Sequence, residues 1–333
     1  MKIIHKTLKG DRKSKLQIVF LPFIGLAILI ILLFILYFSF FYNRDEQLKS
    51  APPLPLIPTA TLETLTPAPT YTFTPVPTAT YTPEPTPTIT HTPTPAFGQS
   101  FIIGYSVNGL PLEVYQFGYG PRERMIVAGI HGGYEWNTVA LADEMIAYLM
   151  ENPEVVSPEV TLYILRNLNP DGYAKAWDAT GRANANGVDL NRNFDANWLA
   201  DWNRDTCFNR VYVTAGSMPG SEPETQAFMA FIDSHNIEAL INYHSASLGI
   251  FPGGVPPGPR SQRLAYALST LSPYQYPPKE IGCVYSGVLV NWAVLQNIPS
   301  VDVELSTHGD TDFEINKLIL EYYVQPDLGL EAP

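Results

Sequence analysis

Residues 51–97 forbid regular secondary structure, and that divides the 333-residue chain into parts with different physics. Pro and Thr dominate the stretch, as in the run Pro77, Thr78, Ala79, Thr80, Tyr81, Thr82, Pro83. Proline offers no N–H and fixes φ at about −65°, so neither a helix interior nor a central strand tolerates the repeat. With so little apolar surface to bury, residues 43–97 are expected to form a disordered, extended, semi-rigid linker. Its threonines are candidate O-glycan acceptors.

What precedes the linker is equally one-sided. Residues 1–16 carry Lys2, Lys6, Lys9, Arg12, Lys13 and Lys15 against a single Asp. Residues 17–42 are uncharged and largely apolar, a run longer than the ~20 residues that cross a bilayer. The pattern predicts a single-pass transmembrane signal-anchor over 17–42, with the basic tail 1–16 in the cytoplasm and the remainder outside. A cleavable signal peptide is the alternative, but its apolar core is usually ~7–15 residues and ends at a small-residue cleavage site.

Residues 98–333 are long enough for one sizeable domain. They hold 27 Asp and Glu against 12 Lys and Arg. That acidity argues against nucleic acid as a partner. Cys207 and Cys283 are the only cysteines, and outside the membrane they form a disulfide or remain two buried thiols.

Apolar runs at 112–117, 124–130, 160–165, 238–243 and 301–305 predict strands. Helical spacing predicts helices over 137–151, 221–234, 260–271, 286–296 and 311–323. Ser221 with Glu224, and Thr311 with Glu314, have the spacing of N-terminal capping boxes. Alternating strands and helices imply an α/β domain with a largely parallel or mixed sheet and helices on both faces. The irregular stretch 167–220, rich in Asn, Asp and Gly, is too long for an ordinary connection and reads as functional or disordered.

His131 ends one predicted strand and Glu135 begins the next helix. Ligands gather at such strand ends in open α/β sheets. Imidazole and carboxylate together are a zinc-type pair, which needs a third protein ligand and an open position. His244, at another strand end, fits as the third. Zinc hydrolysis also needs a base and an oxyanion partner. Glu304 suits the first role, although Asp302 shares its side-chain direction. The permanently charged Arg182 and Arg192 suit the second role or carboxylate binding.

Six motifs, in order, resemble the zinc carboxypeptidases of the M14 metallopeptidase family. They are the His131–Glu135–Trp136 turn, Asn-Pro-Asp-Gly at 169–172, Gly-Val-Asp-Leu-Asn-Arg-Asn-Phe at 187–194, Gly-Ser-Glu-Pro-Glu-Thr at 220–225, Tyr-His-Ser at 243–245 and Val-Glu-Leu at 303–305. The short domain and the 187–194 motif are similar to the bacterial branch of murein peptide amidases and γ-glutamyl-diaminopimelate peptidases. The resemblance implies a zinc-carboxypeptidase-like mixed sheet and one zinc ion held by His131, Glu135 and His244. It implies that Glu304 is the general base and that Arg182 holds the oxyanion. Asn191 and Arg192 would grip the terminal carboxylate, and Tyr285 is the nearest candidate for the family's mobile tyrosine. The chain departs from the pattern in one place. Three residues, Gly132, Gly133 and Tyr134, separate His131 from Glu135 where the family has two. The extra residue is assigned to the Gly-Gly bend.

The expected protein is therefore a membrane-tethered, extracellular metallocarboxypeptidase acting on a peptide or murein-peptide substrate. A murein peptide amidase, a silent peptide-binding pseudoenzyme and a zinc deacylase or esterase are the alternatives. Val288, Leu289 and Val290, near the expected specificity pocket, are apolar and argue against an acidic pocket for basic side chains.

Overall fold

The computed structural model describes residues 97–331 except 203, 248, 280 and 281. The basic tail, the apolar run 17–42 and all but the last residue of the linker lie outside these. Among the described residues no helix is long and apolar enough to cross a membrane.

Seven strands form one sheet: β1 (Gln99–Tyr105), β2 (Pro111–Phe117), β3 (Arg122–Val127), β4 (Val160–Leu165), β5 (Ile237–Ser245), β6 (Gly249–Pro252) and β7 (Ser300–Leu305). Their spatial order is β1-β2-β4-β3-β5-β7-β6. The four central strands β4, β3, β5 and β7 run parallel, and the outer pairings are antiparallel. This is the mixed α/β sheet expected. The edge strands β1 and β6 were not foreseen.

Side chains alternate across the sheet, as period two requires. Ile126, Ile164, Ile241 and Val303 face one apolar layer with Leu141, Met145 and Leu149 of α1 (Trp136–Glu151), Leu264 of α5 (Pro259–Thr270) and Ile319 of α7 (Phe313–Tyr323). Val127, Leu165 and Leu240 face the other, with Phe228 and Phe231 of α4 (Pro223–Asp233) and Leu289 and Trp292 of α6 (Leu289–Leu295). Helices thus cover both faces. Two short helices, α2 (Pro170–Lys175) and α3 (Arg204–Cys207), lie within the long segment read as irregular.

Three local expectations need correction. The third strand stops at Val127, not Ile130, because Gly129 turns to φ +67° and the chain bends towards α1. Neither capping box forms. Ser221 gives its hydroxyl to Glu222 at 2.6 Å, and Glu224 accepts from Val107 N–H at 3.1 Å, so α4 starts at Pro223 without a side-chain cap. α7 starts at Phe313 rather than Thr311, its N-cap Asp312 makes no side-chain cap, and Glu314 accepts from Lys317 Nζ at 2.8 Å instead. Finally, the helix predicted from 286 begins only at Leu289.

Candidate metal centre and substrate cleft

The ligand-bearing turn is built by close backbone approach. Residues 132–135 form one turn of 3-10 helix, with Gly132 at φ +49°. A Cβ on Gly133 would lie 1.9 Å from the carbonyl oxygen of Ala176, which only glycine permits. The turn is locked by Thr138, whose hydroxyl accepts from Gly129 N–H at 3.0 Å and donates to the Glu135 carbonyl at 2.8 Å. The extra residue is absorbed here, and His131 and Glu135 still meet.

Their atoms converge with those of His244. Glu135 Oε1 lies 2.7 Å from His131 Nδ1, and Glu135 Oε2 lies 3.0 Å from His244 Nδ1. The two Nδ1 atoms are 3.2 Å apart. All three residues are buried, and their ligand atoms fall within 4.8 Å of one another. Two neutral imidazoles would face lone pairs at that distance unless a proton or cation lay between them. The N, O, N donor set fits zinc.

Behind the ligands stand two carboxylates. His131 Nε2 is 3.2 Å from Asp189 Oδ1, without the alignment of a hydrogen bond, and His244 Nε2 is 3.3 Å from Asp302 Oδ1. Carboxylates in this position fix the tautomer of a metal-binding imidazole. Burial alone would push Glu135 up, but His131 and His244 outweigh it and hold this carboxyl well below its usual range. Burial opposes the charged form of His244 too, yet Asp302 and Glu135 raise its pKa well above the ordinary value. Asp189 is likewise held low, the cost of burial being overcome by Arg182 and His131.

Glu304 sits on β7 directly across from His244 on β5. Ser247 N–H donates to its Oε2 at 2.9 Å. Burial pushes its pKa up to about 7, against the pull of His244. Arg182 donates from Nε to Asp189 Oδ2 at 2.8 Å and lies 3.6 Å from Glu135 Oε1. The Phe208 ring covers its guanidinium at 4.3 Å.

The substrate-binding candidates group separately. Buried Arg192 stacks on Trp202 at 4.6 Å, with Tyr285 at 5.9 Å. Its Nη1 donates to the Asn191 carbonyl at 2.7 Å. Burial lowers its pKa, opposed by Asp189. Asn191 spends its Oδ1 on Leu289 N–H at 2.9 Å and places its Nδ2 3.3 Å from His244 Nε2. Burial, then Asp302 and Glu304, pushes Tyr285 up to about 12. All eight expected residues line or border one cleft of about 890 Å3.

Sequence reasoning missed several walls of this cleft. Tyr134, Phe208, Arg210 and His308 all line it, and so does Asp302, the alternative considered for the base. Val288 and Val290 line the cleft as expected, and the Asp302 carboxylate, which accepts from Asn242 Nδ2 at 2.8 Å, lines it too. Asp189 does not line it, but its place inside the 187–194 motif was the available signal. Cys207 and Cys283 are joined in a disulfide, which ties α3 to the segment carrying Tyr285.

The family model described as zinc carboxypeptidase matches residues 91–313. Murein peptide amidase A of Escherichia coli K12 is 36% identical over 148 residues, covering 42% of this chain and 57% of that protein. Mast cell carboxypeptidase A of Rattus norvegicus is 33% identical over 174 residues, covering 46% of this chain and 42% of that protein. The chain thus spans about half the length of these curated relatives. Among solved structures, the murein-tripeptide amidase of Escherichia coli O157 superposes with a TM-score of 0.52 at 26% identity, covering 72% of this chain and 94% of that one.

Proposed function

We propose, on the premise that this chain belongs to the zinc carboxypeptidase family, that it is a metallocarboxypeptidase removing the last residue of a peptide outside the cell. One observation carries the reading: a buried His131–Glu135–His244 set, Glu304 and two guanidinium groups share a single cleft. His131, Glu135 and His244 would hold the zinc, with Asp189 and Asp302 steadying the two imidazoles. Bound zinc supplies Lewis acidity at the scissile carbonyl and makes water more acidic.

The chain's own groups do the rest. Arg192, buried and stacked, pairs with the terminal carboxylate; such a pair is charge-assisted and potentially bidentate. The last peptide bond then lies between Arg192 and Arg182. Glu304, with a pKa near that of a base suited to neutral pH, takes the proton of the attacking water and returns it to the leaving amine. Arg182, held by Asp189, presents fixed charge to the oxyanion that develops on the carbonyl. The intact ligand set and base disfavour a silent pseudoenzyme.

Cell-wall peptides are the second reading. It is favoured by the fit to the murein-tripeptide amidase structure, of which 94% is covered. The apolar run 17–42 behind a basic tail supports a membrane anchor that leaves this domain outside, and the disulfide agrees with an oxidising compartment. Mass spectrometry of products from peptide and murein fragments tests the reading, together with Glu304→Gln. That variant keeps one zinc per chain and loses about 100-fold to 10,000-fold in kcat. Wild-type rates in the variant would remove Glu304 from the mechanism.

A further inference from the structure

Asn137, Ser245 and His308 form a polar chain beside the metal centre, and the partners at its buried end fix its direction. The Asn137 amide nitrogen faces two main-chain carbonyls, Thr307 at 2.7 Å and Asp310 at 2.8 Å. Only an NH2 group serves two carbonyl oxygens, so the other end of this buried amide is its oxygen. That Oδ1 accepts from the Ser245 hydroxyl at 2.9 Å. The single hydroxyl hydrogen is thereby spent. Ser245 Oγ also lies 3.0 Å from His308 Nδ1, where it is left only to accept. His308 Nδ1 therefore carries a hydrogen.

The other ring nitrogen follows from the first. A neutral imidazole has one N–H, so Nε2 is left as a bare acceptor. The surroundings keep this ring neutral. Burial lowers its pKa below the ordinary imidazole value, against Glu135 and with Arg210, Arg182 and His131. The ring lines the cleft, and among the described residues its hydrogen bond is made through Nδ1. Tyr134 packs against it at 4.8 Å and is itself backed by Phe208 at 5.5 Å.

Arg192 and Tyr285, 5.9 Å apart, mark one side of the centre. Tyr134, which directly precedes the ligand Glu135, and His308 mark the other. A peptide anchored by its last carboxylate at Arg192 runs past Arg182 and leaves towards Tyr134. Its acyl half is then the part that meets His308.

We infer that His308 Nε2 accepts a hydrogen bond from the residue immediately before the one released, and so selects substrates with a neutral donor at that place. This deepens the metallocarboxypeptidase reading and rests on it. Two sources supply the same chemistry: the main-chain N–H of that residue, or a hydroxyl on its side chain. A substrate that offers only an acceptor there sets lone pair against lone pair and leaves the ring nitrogen unpaired, which costs more than a missing contact.

The experiment uses the full chain loaded with zinc and three peptides that differ only at the residue before the last. It is alanine, L-lactic acid, which replaces the N–H with an ester oxygen, or serine. If the main chain is the source, kcat/KM should be about tenfold higher for the alanine than for the lactyl peptide, the factor equivalent to about 1.4 kcal/mol. If the side chain is the source, the serine peptide should exceed the alanine peptide by a similar factor. His308→Phe should bring the ratio close to one, and His308→Gln, which keeps an acceptor oxygen, should restore part of it. Wild-type ratios both near one overturn the inference, as does a ratio that His308→Phe leaves unchanged. Nitrogen NMR of the His308 ring reads the tautomer directly: hydrogen on Nδ1 is expected, and hydrogen on Nε2 would overturn the inference whatever the rates. Equilibrium binding of the same peptides to Glu304→Gln, with and without His308→Phe, separates the two readings. Discrimination that depends on His308 without any wild-type turnover would sink the hydrolase and keep this inference. Equal binding of all three peptides would sink the inference.

Discussion

The two halves of the cleft are held by different means. The chemical half lies on the sheet: His244 and Glu304 are paired residues of adjacent parallel strands, and His131 and Glu135 follow the end of β3. The binding half lies on loops. Trp202, Phe208 and Arg210 come from the segment after the 187–194 motif, Tyr285 from the segment before α6, and one disulfide joins the two. Strand register fixes position through many backbone bonds at once, whereas a loop needs a crosslink or aromatic packing to hold a side chain still. The difference suggests that reaction type is written in the sheet and substrate choice in the loops.

His244→Ala breaks the chemical half most completely. It should bring zinc content near zero and turnover to background, while the binding half keeps its fold. Retention of stoichiometric zinc by this variant would show that the three residues are not the ligand set. Asp189→Asn is milder. It leaves the ligands and removes the charge behind His131, so zinc affinity measured by chelator competition should fall about tenfold to 100-fold. Unchanged affinity would reduce Asp189 to a partner of Arg182.

The disulfide sharpens the contrast from the other side. Replacing both Cys207 and Cys283 with Ser removes a crosslink between positions 76 residues apart, at a cost of about 2–4 kcal/mol in unfolding free energy. KM should rise several-fold because Tyr285 and the Phe208 segment are released, with zinc affinity and kcat little altered. A parallel loss of zinc would mean that the two halves are not independent.

The chemical half was the more legible in sequence for the same reason. His131, Glu135, His244 and Glu304 stand at ends of apolar runs, where alternation and strand length locate a side chain. Arg210, Phe208 and His308 stand in segments with no periodicity, so only the folded chain brings them to the cleft. β1 was missed because it is an edge strand with half-exposed, mixed residues, and β6 because four residues carry too little pattern. The two capping boxes failed for a local reason. Glu224 found a partner outside its helix and Glu314 found Lys317 within its own, which spacing alone does not reveal.

The cross-strand pairing of His244 with Glu304 limits how this protein can vary. Inserting or deleting a single residue within β5 or β7 would turn the affected side chain through the sheet, into the apolar layer beneath α1 and α7. Lengthening a connecting loop carries no such penalty. Descendants of this chain are thus free to remodel the rim of the cleft, while the spacing along these two strands stays frozen.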